Sequence, residues 1–334
     1  MNARSPDMVY VGETAIPGST VLAPLAGVTD RSFRLLCREQ GAGLAVTEMV
    51  SARGLADGSE RSSRYLDFEA DEHPISVQIF GSEPGEMAEG ARVAAERNPD
   101  LLDINCGCPV KKIVNRRAGA ALLKDPSRLG RIVSAMARAV SIPVTLKIRS
   151  GWDDADNASD VARVAEDMGA AAIAVHGRTR QAGFTGRADW DVIREVSEAV
   201  SIPVIGNGDV RDPLAAKGMM EQTGCDLVMV GRWAIGDPWL FGRIEHFLNT
   251  GTLLDAPTAG ERVRMAIRHL RLSVQNKGLP AGVREMRRHF AAYIKGIDGA
   301  AAYRRALMTE DDPDAVEGIL NAVRRNAEEV SGDA

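Results

Sequence analysis

Eight short, nearly continuous apolar runs recur along the first 230 residues, and segments with helical periodicity separate them. The runs are Val21–Ala26, Leu44–Val50, Ile75–Phe80, Leu101–Asn105, Val144–Ile148, Ala171–His176, Pro203–Asn207 and Leu227–Val230. Such runs are typical of parallel strands that are buried on both faces. Eight β/α units of this combined length predict an α/β fold, a (β/α)8 TIM barrel. A doubly wound sheet is disfavoured, because no GxGxxG sequence follows the first run.

Helix start signals stand in the gaps between these runs. Asp30, Asp125-Pro126 and Asp212-Pro213 each precede a segment with helical spacing. An Asp before the first turn caps a helix, and Pro favours its first position. The predicted helices are Ser32–Gln40, Ser127–Val140 and Leu214–Thr223.

The pattern changes at about residue 254, after which no strand-like run appears. Apolar spacing instead predicts helices over residues 262–274, 283–295 and 315–330, and Asp255–Pro257 is a plausible linker. We therefore expect a barrel domain over residues 1–250 and an all-helical domain over residues 255–334.

Charge is distributed unevenly in this chain of formal net charge −5. Residues 261–305 hold eleven Lys/Arg and three Asp/Glu, a local charge of +8, whereas residues 306–334 carry −6. A basic block in an acidic protein can form a phosphate-binding face, since salt screens its field within about one Debye length. It can equally be a solvated helix surface, so both interpretations stay open at this point.

Several classes of protein are excluded by composition. No apolar run approaches the roughly 18–20 residues that span a bilayer, and Met1–Tyr10 lacks the basic-then-apolar pattern of a signal peptide. Four cysteines in 334 residues do not make a disulfide framework. Cys106 and Cys108 have no second Cys or His pair at zinc spacing, so no metal site is predicted. We expect a cytoplasmic protein without membrane contact.

The chemistry of such a barrel lies at the C-terminal ends of its strands. The loops after strands 7 and 8 contain Gly206, Gly208 and Gly231, and Arg232 follows directly. Glycine lets a backbone approach a phosphate closely, and an arginine adds a bidentate charge. A planar ring held over the mouth would then lie near Lys147 and His176, an arrangement that fits flavin mononucleotide (FMN). Each glycine alone can serve turn geometry, and a lone histidine is more often part of a core.

Cys108 is the candidate catalytic thiol. Gly107 and Pro109 place it on a turn at the end of strand 4, where a thiol can give and regain a proton. Lys111 and Lys112 follow and can meet a polyanionic substrate. Arg287 and Arg288 lie on a predicted helix of the basic segment, either as a phosphate-contacting face or as an ordinary exposed one.

Five motifs, in order, resemble those of bacterial tRNA-dihydrouridine synthases. They are Ala23–Asp30, Asp103–Pro109, His176–Arg180 followed by Ala188–Trp190, Pro203–Asp209, and Gly231–Trp239. Together they span most of residues 20–245, and the 236–239 sequence and the Lys111-Lys112 pair are most similar to the B-type subgroup. Cys106 departs from the family, which often has another residue there.

The resemblance implies an FMN-dependent oxidoreductase that uses NADPH to reduce uridines of the tRNA D-loop to 5,6-dihydrouridine. Hydride would pass from flavin N5 to C6 of the uracil, and Cys108 would protonate C5. The implied flavin-binding residues are Pro24, Leu25, Ala26, Gln78, Lys147, His176, Asn207, Gly208, Asp209, Gly231 and Arg232. Asn105 and Arg178 would orient the uracil. From the charge distribution, not from the resemblance, we expect Lys111, Lys112, Arg287 and Arg288 to contact the tRNA. We expect a monomer.

Two other functions stay open on sequence grounds. One is an FMN barrel enzyme that acts on a small pyrimidine, similar to dihydroorotate dehydrogenases, although such an enzyme needs no basic helical segment. The other is an RNA-binding regulatory protein that has lost catalysis, although the presence of Cys108, Lys147 and His176 argues against it.

Overall fold

A computed structural model describes residues 8–153 and 157–332. The first seven residues of the Met1–Tyr10 segment considered above therefore lie outside the described residues. The strands are β1 Val9–Val11, β2 Thr14–Ile16, β3 Thr20–Leu22, β4 Leu44–Val46, β5 Val50–Ser51, β6 Ile75–Phe80, β7 Leu101–Cys106, β8 Val144–Arg149, β9 Ala172–His176, β10 Val204–Asn207 and β11 Leu227–Val230.

The α-helices alternate with the strands up to β11 and then continue alone. They are α1 Arg31–Glu39, α2 Ala52–Ala56, α3 Glu60–Ser63, α4 Pro84–Ala95, α5 Lys111–Val114, α6 Pro126–Ala139, α7 Ala158–Asp167, α8 Trp190–Ala199, α9 Pro213–Thr223, α10 Leu240–Thr250, α11 Ala259–Lys277, α12 Ala281–Tyr293, α13 Ala300–Thr309 and α14 Pro313–Gly332. Short 3₁₀ helices cover Arg64–Leu66, Ala70–Glu72, Gly119–Lys124 and Arg232–Ala234.

The predicted barrel is confirmed. Parallel pairing runs in the order β4, β3, β11, β10, β9, β8, β7 and β6, and β6 pairs back to β4. The two-residue strand β5 continues the line of β4 along β6, so the predicted run Leu44–Val50 forms one interrupted barrel strand. All eight predicted runs thus overlap barrel strands, although β3 contains only the first two residues of the predicted run Val21–Ala26.

The predicted helix starts are also found. Asp30, Asp125 and Asp212 cap α1, α6 and α9, each accepting a hydrogen bond from a backbone N–H three residues on. The side-chain oxygen satisfies one of the N–H groups that a first turn leaves free.

The β1–β2 hairpin and α13 were absent from the sequence-based expectation. The β1–β2 hairpin precedes the barrel, and Val11 and Ile16 pack against Leu44 and Leu101 at the N-terminal end of its interior. The hairpin therefore closes the end opposite the strand C-termini. In the helical region, α13 adds a fourth helix between the second and third predicted ones.

The C-terminal helices have an apolar core of their own, built from α11, α12, α13 and α14 together with Leu36 of α1. They dock on α1 through polar contacts as well. Both NH groups of the Arg268 guanidinium donate to the Glu39 carboxylate at 2.5 and 2.6 Å, and Lys277 pairs with Asp30. This docking places α12 beside the loop that follows β3.

Candidate active site

A cleft of about 940 Å³ opens at the C-terminal ends of the barrel strands. We call it the mouth cleft; among the predicted residues, it is lined by Pro24, Leu25, Ala26, Gln78, Asn105, Cys108, Lys147, His176, Arg178, Asn207, Gly208, Asp209, Gly231 and Arg232. Parallel strands bring their C-terminal ends to one side of the barrel, so residues far apart in sequence meet there.

The cleft also contains residues that the sequence did not single out as site residues. Arg149 follows Lys147 by two positions on β8 and so points to the same side of the sheet, a signal that strand periodicity carries. Met49, Phe184 and Trp233 come from loops, where no periodicity indicates direction. Phe184 and Trp233 are each about half exposed, at 52% and 48%.

Cys108 lies half-buried on the turn after β7. Its N–H donates to Oδ1 of Asn105 at 3.0 Å, and its carbonyl accepts from the Ala120 N–H at 3.0 Å. Gly119 has φ +60°, and a Cβ there would lie 2.8 Å from the Cys108 carbonyl oxygen. Burial raises the pKa of the Cys108 thiol, although a backbone hydrogen bond at Val110 and the nearby Arg149 oppose the shift. The thiol is therefore protonated at neutral pH.

Cys106 occupies a different environment from Cys108. It is fully buried in the apolar layer between the barrel and its helices, and both thiols are free. Burial raises its pKa well above the ordinary value, and the Asp103 charge adds to the shift. Cys106 is therefore an unreactive core thiol, whereas Cys108 faces the mouth cleft.

Lys147 on β8 and Asn207 on β10 form a polar pair across the intervening strand β9. Lys147 Nζ donates to Asn207 Oδ1 at 2.8 Å, and Asn207 Nδ2 donates to the Met229 carbonyl at 2.8 Å. Burial and, to a smaller extent, repulsion from Arg149 together lower the pKa of Lys147 to about 7, although the Asp103 charge opposes the shift. An anionic group bound beside this ammonium would favour its charged form.

His176 is buried among cations. Burial lowers its pKa to about 2, and the charges of Lys147 and three arginines act in the same direction. The ring is therefore neutral at physiological pH. Its Nε2 lies 3.3 Å from an Arg178 NH group, which can only donate, so Nε2 accepts and the proton resides on Nδ1.

Arg178 holds the loop after β9 against the end of β10. Its guanidinium donates to the Thr185 and Gly186 carbonyls at 3.1 and 2.7 Å, and one NH group donates to both carboxylate oxygens of Asp209 at 2.8 Å. The side chain is 3% exposed. The predicted contact of Arg178 with uracil stays a prediction; the observed contacts make this arginine a brace for the rim of the cleft.

Gly208 requires glycine for two independent reasons. Its φ is +124°, and a Cβ at this position would lie 2.6 Å from the Cβ of Ala188. The Ala188 backbone cannot easily move away, since its N–H donates to the Asp209 carboxylate at 2.7 Å. The chain therefore passes close behind the Gly-Asp turn that lines the cleft.

Phe184 lies over the cationic side of the cleft. The Arg232 and Arg149 guanidinium carbons are 4.4 and 5.5 Å from the centre of its ring. Arg149 also donates to the carbonyls of Gly107, Thr179 and Gly183, so it joins the Cys108 turn to the Phe184 loop. A cation over an aromatic face is stabilised by about 0.5–1 kcal/mol at an exposed site.

The donor set of the mouth cleft suits an anionic, planar ligand. Lys147, Arg149 and Arg232 supply positive charge, while the β3 end, Ala23–Ala26, contributes an apolar wall. Gln78 and Asn105 can each present an amide to a polar ring edge. These are the groups that a flavin phosphate and its ring system need.

A second, larger cleft of about 2820 Å³ adjoins the first, with Ala26 and Met49 lining both. We call it the side groove; it lies between the barrel rim and α11–α12. Three of its lining residues, Arg61, Arg64 and Arg97, form no ion pair within the described part of the chain. Eight basic and five acidic residues line the side groove, so it carries a net positive charge where it adjoins the mouth cleft.

The four predicted RNA-contacting residues differ in their positions. Arg288 lines the side groove, where its NH1 donates to the Ala26 carbonyl at 3.2 Å. Arg287 instead donates to the Asp311 carboxylate at 2.7 Å. Lys111 and Lys112 are exposed on α5, and neither of them lines the mouth cleft or the side groove.

Residues 8–153 and 157–332 contain no helix suited to span a membrane and no cluster suited to hold a metal ion. The helices found there are too short or too polar to cross a bilayer. Among the same residues, no group of three or more His, Cys, Asp or Glu side chains is arranged to hold a metal ion.

Comparison with known proteins gives consistent matches over nearly the whole chain. The family model described as dihydrouridine synthase (Dus) matches residues 21–328. A protein of Xanthomonas campestris pv. campestris named tRNA-dihydrouridine synthase B is 44% identical over 308 residues, which cover 92% of this chain and 93% of that one. Proteins of the same name from Pseudomonas aeruginosa and Proteus vulgaris are 43% and 41% identical, covering 92% and 95% of this chain and 93% and 98% of theirs.

Solved structures resemble this one in fold. A 6-hydroxypseudooxynicotine amine oxidase from Pseudomonas geniculata has a TM-score of 0.56 at 16% identity, over 73% of this chain and 49% of that chain. Morphinone reductase in complex with tetrahydroNAD has a TM-score of 0.52 at 14% identity, over 76% of this chain and 93% of that one. At these identities the likeness shows a shared barrel and nothing more specific.

Proposed function

This chain belongs to the dihydrouridine synthase family, and we propose that it reduces uridines in tRNA to 5,6-dihydrouridine, with FMN as its flavin and NADPH as the reductant. The observation that carries the proposal is the mouth cleft, where a protonated thiol, a lysine and a neutral histidine face one cavity. The relatives named as tRNA-dihydrouridine synthases support the choice of substrate.

The residues of the mouth cleft fit FMN. Arg232 and the glycine-rich ends of β10 and β11 would hold its phosphate, and the apolar β3 end would lie along its ring. Lys147 would stabilise negative charge on the ring. Bound FMN would supply the hydride for C6 of the uracil.

Cys108 would donate the proton to C5 of the uracil. A thiol whose pKa is raised holds its proton at neutral pH, so it acts as an acid before it acts as a base. Asn105 would orient the uracil, since its amide lies beside the Cys108 turn, and Arg149 would hold the same turn through the Gly107 carbonyl. Neutral His176 would accept or donate a hydrogen bond without adding charge.

The side groove would receive the tRNA body. A uracil inside a folded tRNA must leave its stack to reach a recessed site. Arg61, Arg64, Arg97 and Arg288 line a channel that opens into the mouth cleft, and cations along such a channel bind phosphates. We further propose that residues 255–334 form a tRNA-binding domain and that Arg288 contributes more to binding than Arg287, which Asp311 neutralises.

The test uses unmodified tRNA transcript, NADPH and the purified protein. We expect bound yellow flavin that is released as FMN, and a mass gain of two hydrogens at a uridine. Cys108→Ala should lower turnover by at least ~100-fold, the usual contribution of a general acid. Cys225→Ala is the matched control, because Cys225 is a buried free thiol outside the cleft and its loss should leave turnover unchanged.

The same experiment separates the alternatives. An enzyme acting on a small pyrimidine would reduce orotate or free uridine, and we expect neither. A regulatory RNA-binding protein would bind tRNA without flavin and without mass gain. Either result, with well-folded protein, would refute the proposed function.

A further inference from the structure

Three hydrogen bonds run in one direction from the Cys108 backbone to a buried carboxylate. The Cys108 N–H donates to Asn105 Oδ1 at 3.0 Å, and Asn105 Nδ2 donates to Gln78 Oε1 at 2.7 Å. Gln78 Nε2 then donates to Asp103 Oδ2 at 2.7 Å. The other Asp103 oxygen accepts from the Thr145 hydroxyl at 2.7 Å.

The two ends of this series of hydrogen bonds determine its direction. A backbone N–H can only donate, and an ionised carboxylate can only accept. If the amides of Asn105 and Gln78 were both turned over, N–H would face N–H at Cys108 and oxygen would face oxygen at Asp103. The orientation of both amides therefore depends on an acceptor at position 103.

The barrel strands hold this series of hydrogen bonds rigidly. Gln78, Asp103 and Thr145 lie opposite one another on β6, β7 and β8, one level below Asn105. Gln78 is 1% exposed and Asp103 is 5% exposed. Water cannot readily replace a lost partner at such depth, so an unmade bond there is costly.

Asp103 is ionised at neutral pH in this environment. Burial raises its pKa to about 6, while the hydrogen bonds from Gln78 and Thr145 and the charge of Lys147 lower it. The carboxylate therefore remains an acceptor on both oxygens above that pH.

We propose that Asp103 is a positioning residue: as an obligate acceptor it orients the amides of Gln78 and Asn105 and, through Asn105, anchors the Cys108 turn. Each amide keeps a second N–H, and both side chains line the mouth cleft, where those groups can donate to a ligand. The consequence for turnover rests on the proposed function, whereas the anchoring of Cys108 does not.

Two variants test this role. Asp103→Leu replaces the acceptor with a larger apolar side chain, and Thr145→Val removes one bond to Asp103 without breaking the path to Cys108. We expect Asp103→Leu to speed hydrogen exchange of the Cys108 amide at least tenfold and to lower kcat at least 100-fold, with an unchanged Kd for tRNA. Thr145→Val should change the exchange rate and kcat by less than threefold.

Asp103→Asn keeps the shape and one acceptor oxygen, so it covers the case in which Asp103→Leu does not fold. We expect partial effects, a twofold to fivefold faster exchange and a kcat about tenfold lower. Exchange and kcat equal to wild type in Asp103→Asn, or equal effects of Asp103→Leu and Thr145→Val, would overturn the proposal. Exchange is measurable without turnover, so an inactive wild-type protein would refute the proposed function and leave this proposal open to its own test.

Discussion

Gly208→Ala provides a quantitative test of the turn that lines the mouth cleft. The native φ of +124° lies in a region that other residues adopt at a cost of about 1–3 kcal/mol. The new methyl group would also lie 2.6 Å from Ala188 Cβ and 3.1 Å from His176 Cδ2. Overpacking of this kind adds about 1–3 kcal/mol. We therefore expect the free energy of unfolding to fall by about 4 kcal/mol.

Gly224→Ala is the matched control. Gly224 ends α9 with φ +67°, and a Cβ there has no neighbour within 4 Å. Only the backbone strain applies, so the loss should be about 1–2 kcal/mol.

The assay is urea unfolding of both variants, compared at equal m-value, together with the flavin content of the purified proteins. Gly208→Ala should lose flavin as well as stability, because the Gly208–Asp209 turn is displaced. Gly224→Ala should retain flavin in full. Equal stability losses in the two variants, or full flavin content in Gly208→Ala, would show that the reasoning from φ and the close contact is wrong.

Three further predictions concern other parts of the molecule. Burial lowers the pKa of His289 to about 4. As the pH falls below 6.5, this histidine therefore binds a proton in the unfolded state before it does so in the folded state. The wild type should therefore lose about 3 kcal/mol of stability towards pH 4 that His289→Phe does not lose, as measured by urea midpoints. Glu72→Gln leaves the buried Arg34 guanidinium without its carboxylate partner at 2.7 Å and should cost about 3–5 kcal/mol in the same assay. Arg64→Ala should weaken tRNA binding and reduce the slope of log K against log salt by about 1.

Controls for these predictions come from exposed sites. Glu89→Gln removes an exposed pair with Arg92 and should cost less than about 1 kcal/mol. Arg131→Ala removes an exposed cation of α6, outside the side groove, and should leave the salt slope unchanged. Parallel pH curves for wild type and His289→Phe, or salt slopes that do not distinguish Arg64→Ala from Arg131→Ala, would contradict the respective predictions.

The barrel could be predicted because its signals are local. A strand buried on both faces needs an unbroken apolar run, and a helix start needs a cap such as Asp125 followed by Pro126. Both requirements lie within a few consecutive residues. The β1–β2 hairpin lacked such a signal, because each strand has three residues and only Val11 and Ile16 face the core. α13 was not predicted, because Leu307 is the only buried residue in this helix.

What the sequence determined by itself was the alternation of strands and helices, and with it the strand ends at which Cys108, Lys147 and His176 meet. Parallel closure brings every strand end to one rim, so order along the chain was enough to gather them. Only the tertiary structure decided which charges are available there. Arg178 is neutralised by Asp209 and Arg287 by Asp311, whereas Arg64 forms no ion pair with any residue that the structure describes. Ion pairing depends on distances of a few ångströms between segments that are far apart in the chain, and no local pattern encodes those distances.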